Sequence, residues 1–500
     1  MKKYVLWRLL RSIISIFLVT TIAYLMIFSM IPKKVVFSED PAYSKLTAKL
    51  DLRTDYENTI YKKLGYIDYL DSKSLEKKVA EEDKSVSVNV SSKNKKTYEK
   101  WAENECGDWK ILQFPISKKF YAVRDISLVE RVWRFYSHLI QIDTPWRVQD
   151  KENPNLKRGY QLAKDEAGGG FALIGSGTKY KYQLYFDNRF PFIHQNIVKL
   201  YLGESYPTFY GYEVLEVLTN GQGEAASKEV TFPTGEKQMS PVNLHTAQYQ
   251  PLSKMDKMTK QKFGKDPYSK TNNFYKDPSM LSISLFTEVI SLVLIYLVGL
   301  PLAMLMARFK FSLLDRLGTG MITGLISIPS LAIIYFLRFL GSSIFEWPDM
   351  FPTLGAHNIL SYVLPILILT ILNITNIVMW TRRYMVDQQS ADYVKFARAK
   401  GLSEKEISRH HILKNALIPI VQGIPLSIVI TIQGATMTET IFAMPGMGKM
   451  LPDAILRHNH SMIIGLVFLF TSVSVFAVFI GDLLMTFIDP RIRLNTKGGK

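Results

Sequence analysis

Six long runs of apolar residues, none containing Asp, Glu, Lys or Arg, stand out along the chain. Each run holds about 20 residues, which is the length a helix needs to cross a hydrocarbon layer of roughly 30 Å. Buried helices of soluble proteins seldom stay uncharged for so long. The pattern therefore predicts six transmembrane helices, at residues 12–31, 289–307, 317–337, 359–381, 415–438 and 461–481.

The first run follows Lys2, Lys3, Arg8 and Arg11, which is also how a signal peptide begins. Its apolar stretch is longer than that of a signal peptide, and no cleavage site with small residues follows it. The sequence thus predicts a helix that is retained in the mature protein.

Charge along the chain predicts an orientation. The loops at 1–11, 308–316, 382–414 and 491–500 hold nineteen Lys and Arg, whereas the loops at 342–358 and 439–460 hold two. Lys and Arg accumulate in short cytoplasmic loops, so both termini are expected in the cytoplasm. Of the net charge of +17, about +7 lies in the block at 32–280, and the remaining +10 is expected at the cytoplasmic faces, next to anionic lipid headgroups. This split leaves no reason to expect nucleic-acid binding.

The polar block at 32–280 is long enough for an extracellular domain. Runs of aromatic and β-branched residues at 111–123, 171–174 and 180–186 predict a mixed α/β fold, and residues 71–100 are expected to include a mobile stretch. Glycines at 168–170 and 175–177 indicate turns, and residues 220–280 a long excursion back to the membrane. As aromatic anchors for a partner protein we consider Trp101, Trp109, Trp133 and Trp146.

Catalytic and metal-binding patterns are missing from the sequence. Residues 446–449 lack the Ser or Thr of a phosphate-binding loop, and the adjacent His410 and His411 cannot both face one metal ion. The single Cys106 can form no internal disulfide. We interpret His458 and His460 as solvated loop residues, and Glu288 and Asp482 as carboxylates at the edges of their spans. The protein is therefore not expected to be an enzyme, nor to bind a cofactor or metal itself.

The loop at 382–416 carries a helix–turn–helix pattern. Gly401 is suited to end the first helix in a left-handed conformation, and Ser403 with Glu406 has the spacing of a capping box for the second. The small Ala397 and Ala399 leave space for another backbone to approach. A loop that only anchors the chain through positive charge would need none of these features.

This loop resembles the EAA loop of ABC-importer permeases, in the form 392–403 (Asp-Tyr-Val…Ala-Arg-Ala-Lys-Gly-Leu-Ser) typical of oligopeptide and dipeptide systems. Lys395 stands where the general EAA pattern has a glutamate, as in the peptide-importer variant. Further similar segments are 8–10, 299–302, 315–316, 329–330, 364–365, 438–448 and 489–493. The chain is similar to the B-type membrane subunits of oligopeptide importers over residues 1–32 and about 282–493.

The resemblance implies an α-helical polytopic protein of the cell membrane, with six transmembrane helices of the type I importer kind and a large mixed α/β extracellular insert between helices 1 and 2. Its domains would be the N-terminus with helix 1 (1–31), the extracellular domain (32–280), the permease core (281–490) and a cytoplasmic tail (491–500). It implies as partners a second homologous permease subunit, two cytoplasmic ATPases that bind ATP and Mg²⁺, and an extracellular peptide-binding lipoprotein.

The resemblance also implies roles for particular residues. Coupling to an ATPase is expected of Asp392, Tyr393, Ala397, Ala399, Gly401, Ser403 and Glu406. Structural roles at the pore or gate are expected of Pro301, Pro329, Pro365, Glu439, Pro445, Gly446 and Gly448. Dipeptides or nickel remain alternative cargoes, and a membrane-anchored receptor whose outer domain carries the function is an alternative class of protein.

Overall fold

The computed structural model describes residues 2–82, 95–105, 108–187 and 192–488. Cys106, the segment 489–493 and the predicted tail at 491–500 lie outside the described residues. The chain divides into two compact units. The membrane unit comprises Met1–Val36 and Met280–Lys500, and the insert unit comprises Phe37–Ser279.

The membrane unit is built from helices. They are α1 (Lys2–Met30), α9 (Met280–Arg308), α10 (Leu313–Ser327), α11 (Ser330–Phe345), α12 (Leu360–Gln389), α13 (Asp392–Ala399), α14 (Glu404–Glu406), α15 (Leu413–Ile441), α16 (Met447–Leu456) and α17 (His460–Ile488). Within the described part of the chain, five helical segments are long and apolar enough to cross a membrane, and α10 with α11 forms a sixth if the bent pair is one span.

The prediction of one unbroken helix over 317–337 is wrong. Helices α10 and α11 meet at 111°. The break falls at Pro329, which has no N–H to donate to the preceding turn and disfavours helical geometry at the residue before it. Ile328 is accordingly extended, with ψ of 135°, and Pro329 caps the start of α11.

Helices α9 and α12 pack along each other in the centre of the membrane unit. Their buried side chains, among them Ile283 and Ile368, join Ile334 of α11 and Phe442 in one apolar cluster. Ser291 and Thr370 face each other across the same contact, with their hydroxyl oxygens 3.1 Å apart. These two hydroxyl groups thus have each other as partners within the protein, which favours their burial in a low-dielectric environment.

The insert unit mixes short helices with short strands. Its helices are α2 (Pro41–Lys45), α3 (Leu50–Lys63), α4 (Ser72–Glu82), α5 (Lys95–Asn104), α6 (Leu128–Leu139), α7 (Val214–Thr219) and α8 (Lys257–Phe263). Its strands are β1 (Ile67–Leu70), β2 (Trp109–Gln113), β3 (Phe120–Asp125), β4 (Ile140–Ile142), β5 (Gly159–Lys164), β6 (Phe171–Ser176), β7 (Tyr182–Phe186), β8 (Ile193–Gln195), β9 (Val198–Leu200), β10 (Gln222–Ala225), β11 (Lys228–Thr231), β12 (Lys237–Ser240), β13 (Val242–Gln248), β14 (Lys270–Asn273) and β15 (Tyr275–Asp277).

Two antiparallel sheets organise the first part of the insert unit. One has the strand order β1-β3-β2, and the other has the order β5-β6-β7-β8. Helices α4 and α5 pack on the first sheet through Leu75, Val79 and Tyr98, which are buried. Most of the range 71–100, in which a mobile stretch was expected, is therefore helical, and its residues 83–94 lie outside the described residues.

The remaining described strands form two-stranded ribbons, β4-β9, β10-β15, β11-β12 and β13-β14. Residues 220–280, predicted as a long excursion back to the membrane, are thus folded into strands and α8. A second apolar cluster explains why, because Phe232, Leu244 and Phe263 are buried together there. The glycine turns were predicted correctly at Gly169, Gly170 and Gly177, which have positive φ.

Candidate functional site

The first half of the candidate coupling loop is α13, whose two sides differ. Val394 and Ala397 are buried in an apolar cluster of the membrane unit. Asp392 is exposed and accepts a hydrogen bond from the Lys395 ammonium group at 2.9 Å, which lowers the pKa of the Asp392 carboxyl. Tyr393 donates from its hydroxyl to Oε1 of Gln388 at 2.7 Å. One side of α13 is therefore anchored in the protein, and the other is open to a partner.

The turn after α13 has the hydrogen bonds of a Schellman motif. The Leu402 N–H donates to the Ala397 carbonyl at 3.3 Å, and the Gly401 N–H donates to the Arg398 carbonyl at 2.9 Å. Gly401 has φ of +79°, which side chains other than glycine rarely tolerate. Among the described residues, apart from Gly401 and its chain neighbours, no atom lies within 4 Å of the position that a Cβ on Gly401 would take. The glycine is thus required by backbone conformation, and its surface is open.

The capping box predicted at Ser403 is present. The Ser403 hydroxyl accepts from the Glu406 N–H at 3.3 Å, and the Glu406 carboxylate accepts from the Ser403 N–H at 3.0 Å. Arg398 on α13 also pairs with Glu404 at 2.7 Å, which links the two sides of the turn. From Glu404 the chain continues through a π-helical stretch at Ile407–Ile412 directly into α15. Movement of the turn would therefore be passed on to a long apolar helix.

The residues predicted for coupling do not all lie on the open surface. Ala399, Gly401 and Ser403 are exposed, but Ala397 is buried and packs against the protein's own core. The expectation that Ala397 leaves space for a partner is therefore wrong, because its small size serves internal packing. Phe396 is 63% exposed on the open side, and sequence reasoning missed it. The sequence does contain a signal for this exposed position, because Phe396 is an apolar residue among charged ones on a short helix.

Glu439 forms the centre of a second group of predicted residues. Its side chain is buried near the end of α15 and accepts from the Ser284 hydroxyl at 2.5 Å and from the Lys449 N–H at 2.9 Å. A Cβ added to Gly446 would collide with the Glu439 carboxyl group, and one added to Gly448 would lie 3.0 Å from Oε2. The structure thus brings Glu439, Gly446 and Gly448 together, with Pro445 in the same loop.

Ser284 is the member of this group that sequence reasoning missed. Its hydroxyl also accepts from the Met447 N–H at 2.8 Å, so it connects α9 to the loop after α15. The other three prolines predicted for the pore lie elsewhere: Pro301 inside α9, Pro365 inside α12 and Pro329 at the α10–α11 break.

Three polar residues of the membrane unit occupy positions that differ in part from expectation. Asp482 lies near the end of α17 and forms an ion pair with Arg8 on α1. Glu288 is buried in the third turn of α9, and its Oε1 has no hydrogen-bond partner among the described residues. His460 is 1% exposed, so its interpretation as a solvated residue is wrong. Asn459 caps α17 by accepting from Met462, which places His460 in the first turn, near Phe28.

The four tryptophans considered as anchors separate into two pairs. Trp101 is buried, and Trp109 packs against it with ring centroids 5.6 Å apart, so these two belong to the core of the insert unit. Trp133 and Trp146 are exposed. Only the second pair is available to a partner.

Comparison with known proteins identifies the family. Residues 299–494 match the family described as binding-protein-dependent transport system inner membrane component. The oligopeptide transport system permease protein AmiC of Streptococcus pneumoniae is 50% identical over 501 residues, which cover 100% of both chains. The dipeptide permease DppB of Lactococcus lactis is 30% identical over 43% of this chain and 70% of its own, and the glutathione permease GsiC of Salmonella typhimurium is 31% identical over 42% and 68%. The chain belongs to this family of inner membrane components and is a permease subunit of an ABC importer.

Proposed function

We propose that this permease subunit imports oligopeptides across the cell membrane. Full-length similarity to an oligopeptide permease supports this cargo, whereas the dipeptide and glutathione relatives match less than half of the chain. In this proposal it forms half of the pore with a homologous permease subunit. Two cytoplasmic ATPases bind ATP and Mg²⁺, and an extracellular lipoprotein delivers the peptide.

The observation that carries the coupling role is the form of the loop at 382–416. Its turn is fixed from both sides, by the Schellman motif at Gly401 and the capping box at Ser403, while its outer surface stays open. A rigid, exposed turn of this kind can fit a groove on an ATPase with little loss of conformational entropy when it binds.

The interior of the loop offers a route from the turn to the spans. The cluster that holds Val394 and Ala397 of α13 also contains residues of α9, α12 and α15, namely Ala307, Met385 and Ala416. Close-packed side chains transmit displacement with little compression. ATP-driven closure of the ATPases would thus move α13 and, through this cluster, three long helices. ATP would favour one access state because it binds that state better.

Replacing Gly401 tests the coupling. We expect Gly401→Leu to leave the complex assembled but to reduce ATP-driven peptide uptake at least several-fold, because a side chain at φ of +79° strains the turn and covers its open surface. Uptake of a labelled hexapeptide and ATP hydrolysis are measured in proteoliposomes that contain the whole complex and its binding protein.

Gly355→Leu is the matched control for backbone strain. Gly355 has φ of +76° and, like Gly401, open space at its Cβ position, but it lies between α11 and α12. We expect this variant to transport at close to the wild-type rate. Equal transport by the Gly401 variant would contradict the coupling assignment.

The same proteoliposomes separate the alternative cargoes. A hexapeptide should stimulate ATP hydrolysis by the loaded complex more than a dipeptide or Ni²⁺ does. Stronger stimulation by the dipeptide or by Ni²⁺ would replace the oligopeptide proposal with that cargo.

A further inference from the structure

One face of the sheet β5-β6-β7-β8 is largely apolar although it is exposed, with Lys164 and Gln195 as polar members. Strand register places Leu162, Leu173, Leu184 and Gln195 in one row across the four strands. Phe171 shares this face with Leu173, because side chains two positions apart point the same way. Leu162 is 70% exposed and Phe171 is 64% exposed. A solvated sheet face normally carries polar residues.

The opposite face of the same sheet is the one that packs inside the insert unit. The Tyr185 ring stacks on His194 and on His245, with centroids 5.1 and 4.1 Å apart. Nε2 of His245 lies 2.8 Å from Oδ2 of Asp165, and both side chains are buried. The core of the unit is therefore on that side, and the apolar row faces away from it.

Helix α6 also exposes apolar residues, although its Leu128, Val132 and Phe135 are half-buried. Its charged residues face the insert unit: Arg134 donates to both carboxylate oxygens of Asp68 at 2.8 and 2.9 Å, and Arg131 donates to the Tyr66 carbonyl at 3.0 Å. Val129 and Trp133, one turn apart, are exposed by 80% and 72%. Of the twelve residues of α6, all of them described, Leu139 alone is buried. An amphipathic helix normally buries its apolar side instead.

Strands β4 and β9 connect this helix to the sheet. β4 follows α6 directly, and its Ile142 pairs with Val198 of β9, which begins shortly after β8 ends. We call the following exposed residues the apolar face: Val129, Trp133, Ile140, Ile142, Tyr160, Leu162, Phe171, Phe186, Ile193 and Val198.

The apolar face is larger than a soluble surface usually tolerates. Its four aromatic side chains, each offering roughly 150–250 Å² and 46–72% exposed, leave on the order of 450 Å² uncovered. The six aliphatic side chains, 49–80% exposed, add to this area. The largest apolar patch on a typical monomer is about 300–600 Å². Each partner in a stable complex contributes about 800 Å².

We propose that the apolar face is a permanent protein interface, and that it is covered by the extracellular part of the second permease subunit. The inference rests on the proposed function, which supplies that partner. Permanent interfaces are more apolar than transient ones. The ATPases are cytoplasmic and the binding protein must come and go, so the second permease subunit is the permanent component that reaches this side. A bilayer is a poorer fit, because Arg131 and Arg134 are committed to Tyr66 and Asp68 instead of facing lipid headgroups.

Photo-crosslinking in cells identifies the occupant. Benzoylphenylalanine is placed at Val129 or at Leu162 of the full-length chain, in cells that express the whole importer. We expect both positions to yield an adduct with the second permease subunit, and this adduct should persist when the binding protein is deleted. Ile116, which is 64% exposed in the turn between β2 and β3, is the control and should give no such adduct. Adducts with the binding protein or with lipid alone, or no adduct, would overturn the proposal.

Charge substitution provides a second test that does not depend on crosslinking geometry. We expect Leu162→Asp with Phe171→Asp to reduce co-purification of the second permease subunit at least five-fold, whereas Ile116→Asp should not. Both side chains are exposed, so the double variant should still fold; full retention of the second subunit would contradict the proposal. The crosslink does not depend on cargo or on coupling, so its failure is distinguishable from failure of the proposed function.

Discussion

At the scale of single residues, Glu439 shows how one buried carboxylate can determine the shape of a loop. It receives hydrogen bonds from Ser284 and from the Lys449 backbone, which offset the cost of removing the carboxylate from water. Gly446 leaves free the space that the Glu439 carboxyl group fills. A Cβ at Gly446 would overlap with that carboxyl group. The glycine and the carboxylate are thus one structural feature.

Adding a single methyl group tests this feature. We expect Gly446→Ala to lower the melting temperature of the purified complex and to reduce uptake at least several-fold, because the carboxylate must move away from Ser284. Thermal unfolding in detergent and peptide uptake are the measurements.

Gly320→Ala is its control, since in the described part of the chain only the backbone of its own helix lies near the Cβ position of this helical glycine. It should behave like the wild type. Wild-type stability and uptake in the Gly446 variant would show that the contact with Glu439 does not restrict this loop.

At the scale of elements, features determined by neighbouring residues could be predicted, and features determined by distant ones could not. The Schellman turn at Gly401 and the capping box at Ser403 depend on residues within six positions, so the sequence alone shows them. The contact of Ser284 with Glu439 joins residues 155 positions apart, and no local pattern announces it. A structural role is predicted for Pro329 from the sequence. The break that it introduces into the third span, between α10 and α11, is not predicted.

Ion pairs contribute to the stability of helix α6, so we expect the helix to be less stable in acid. Hydrogen bonds from Arg134 and Arg124 lower the pKa of Asp68. A carboxyl whose folded pKa is depressed contributes stability above its unfolded pKa of about 3.9 and loses it as pH falls through the folded value. We expect α6 amides to be protected from hydrogen exchange at neutral pH and to lose that protection below about pH 4.

Asp68→Asn should produce part of this loss at neutral pH. If the substitution destabilises α6 by about 1 kcal/mol, amide hydrogen exchange in α6 should become roughly five-fold faster. Glu224→Gln removes the exposed pair with Lys276 and should change nothing in α6. Unchanged exchange in the Asp68 variant would mean that contacts other than these ion pairs hold the helix.

At the scale of the whole molecule, the number of crossings determines which loops can meet an ATPase. If α10 and α11 together cross the membrane, there are six spans and the candidate coupling loop shares a side with the N-terminus. If the chain enters and leaves the bent pair on the same side of the membrane, there are five spans. The candidate coupling loop then lies on the side opposite to the N-terminus. Nineteen Lys and Arg in the loops assigned to the cytoplasm favour six.

Cysteine labelling distinguishes these two topologies. In a Cys106→Ser background, single cysteines replace Lys237 in the insert unit, Met350 after α11 and Glu404 in the coupling loop, all of which are exposed. With six spans, an impermeant maleimide should label positions 237 and 350 in intact cells and position 404 only after permeabilisation. With a re-entrant α10–α11 pair, position 350 should be protected and position 404 labelled. Because α13 and its turn must face the ATPases to transmit their movement, labelling of 404 in intact cells would refute both the orientation and the coupling mechanism.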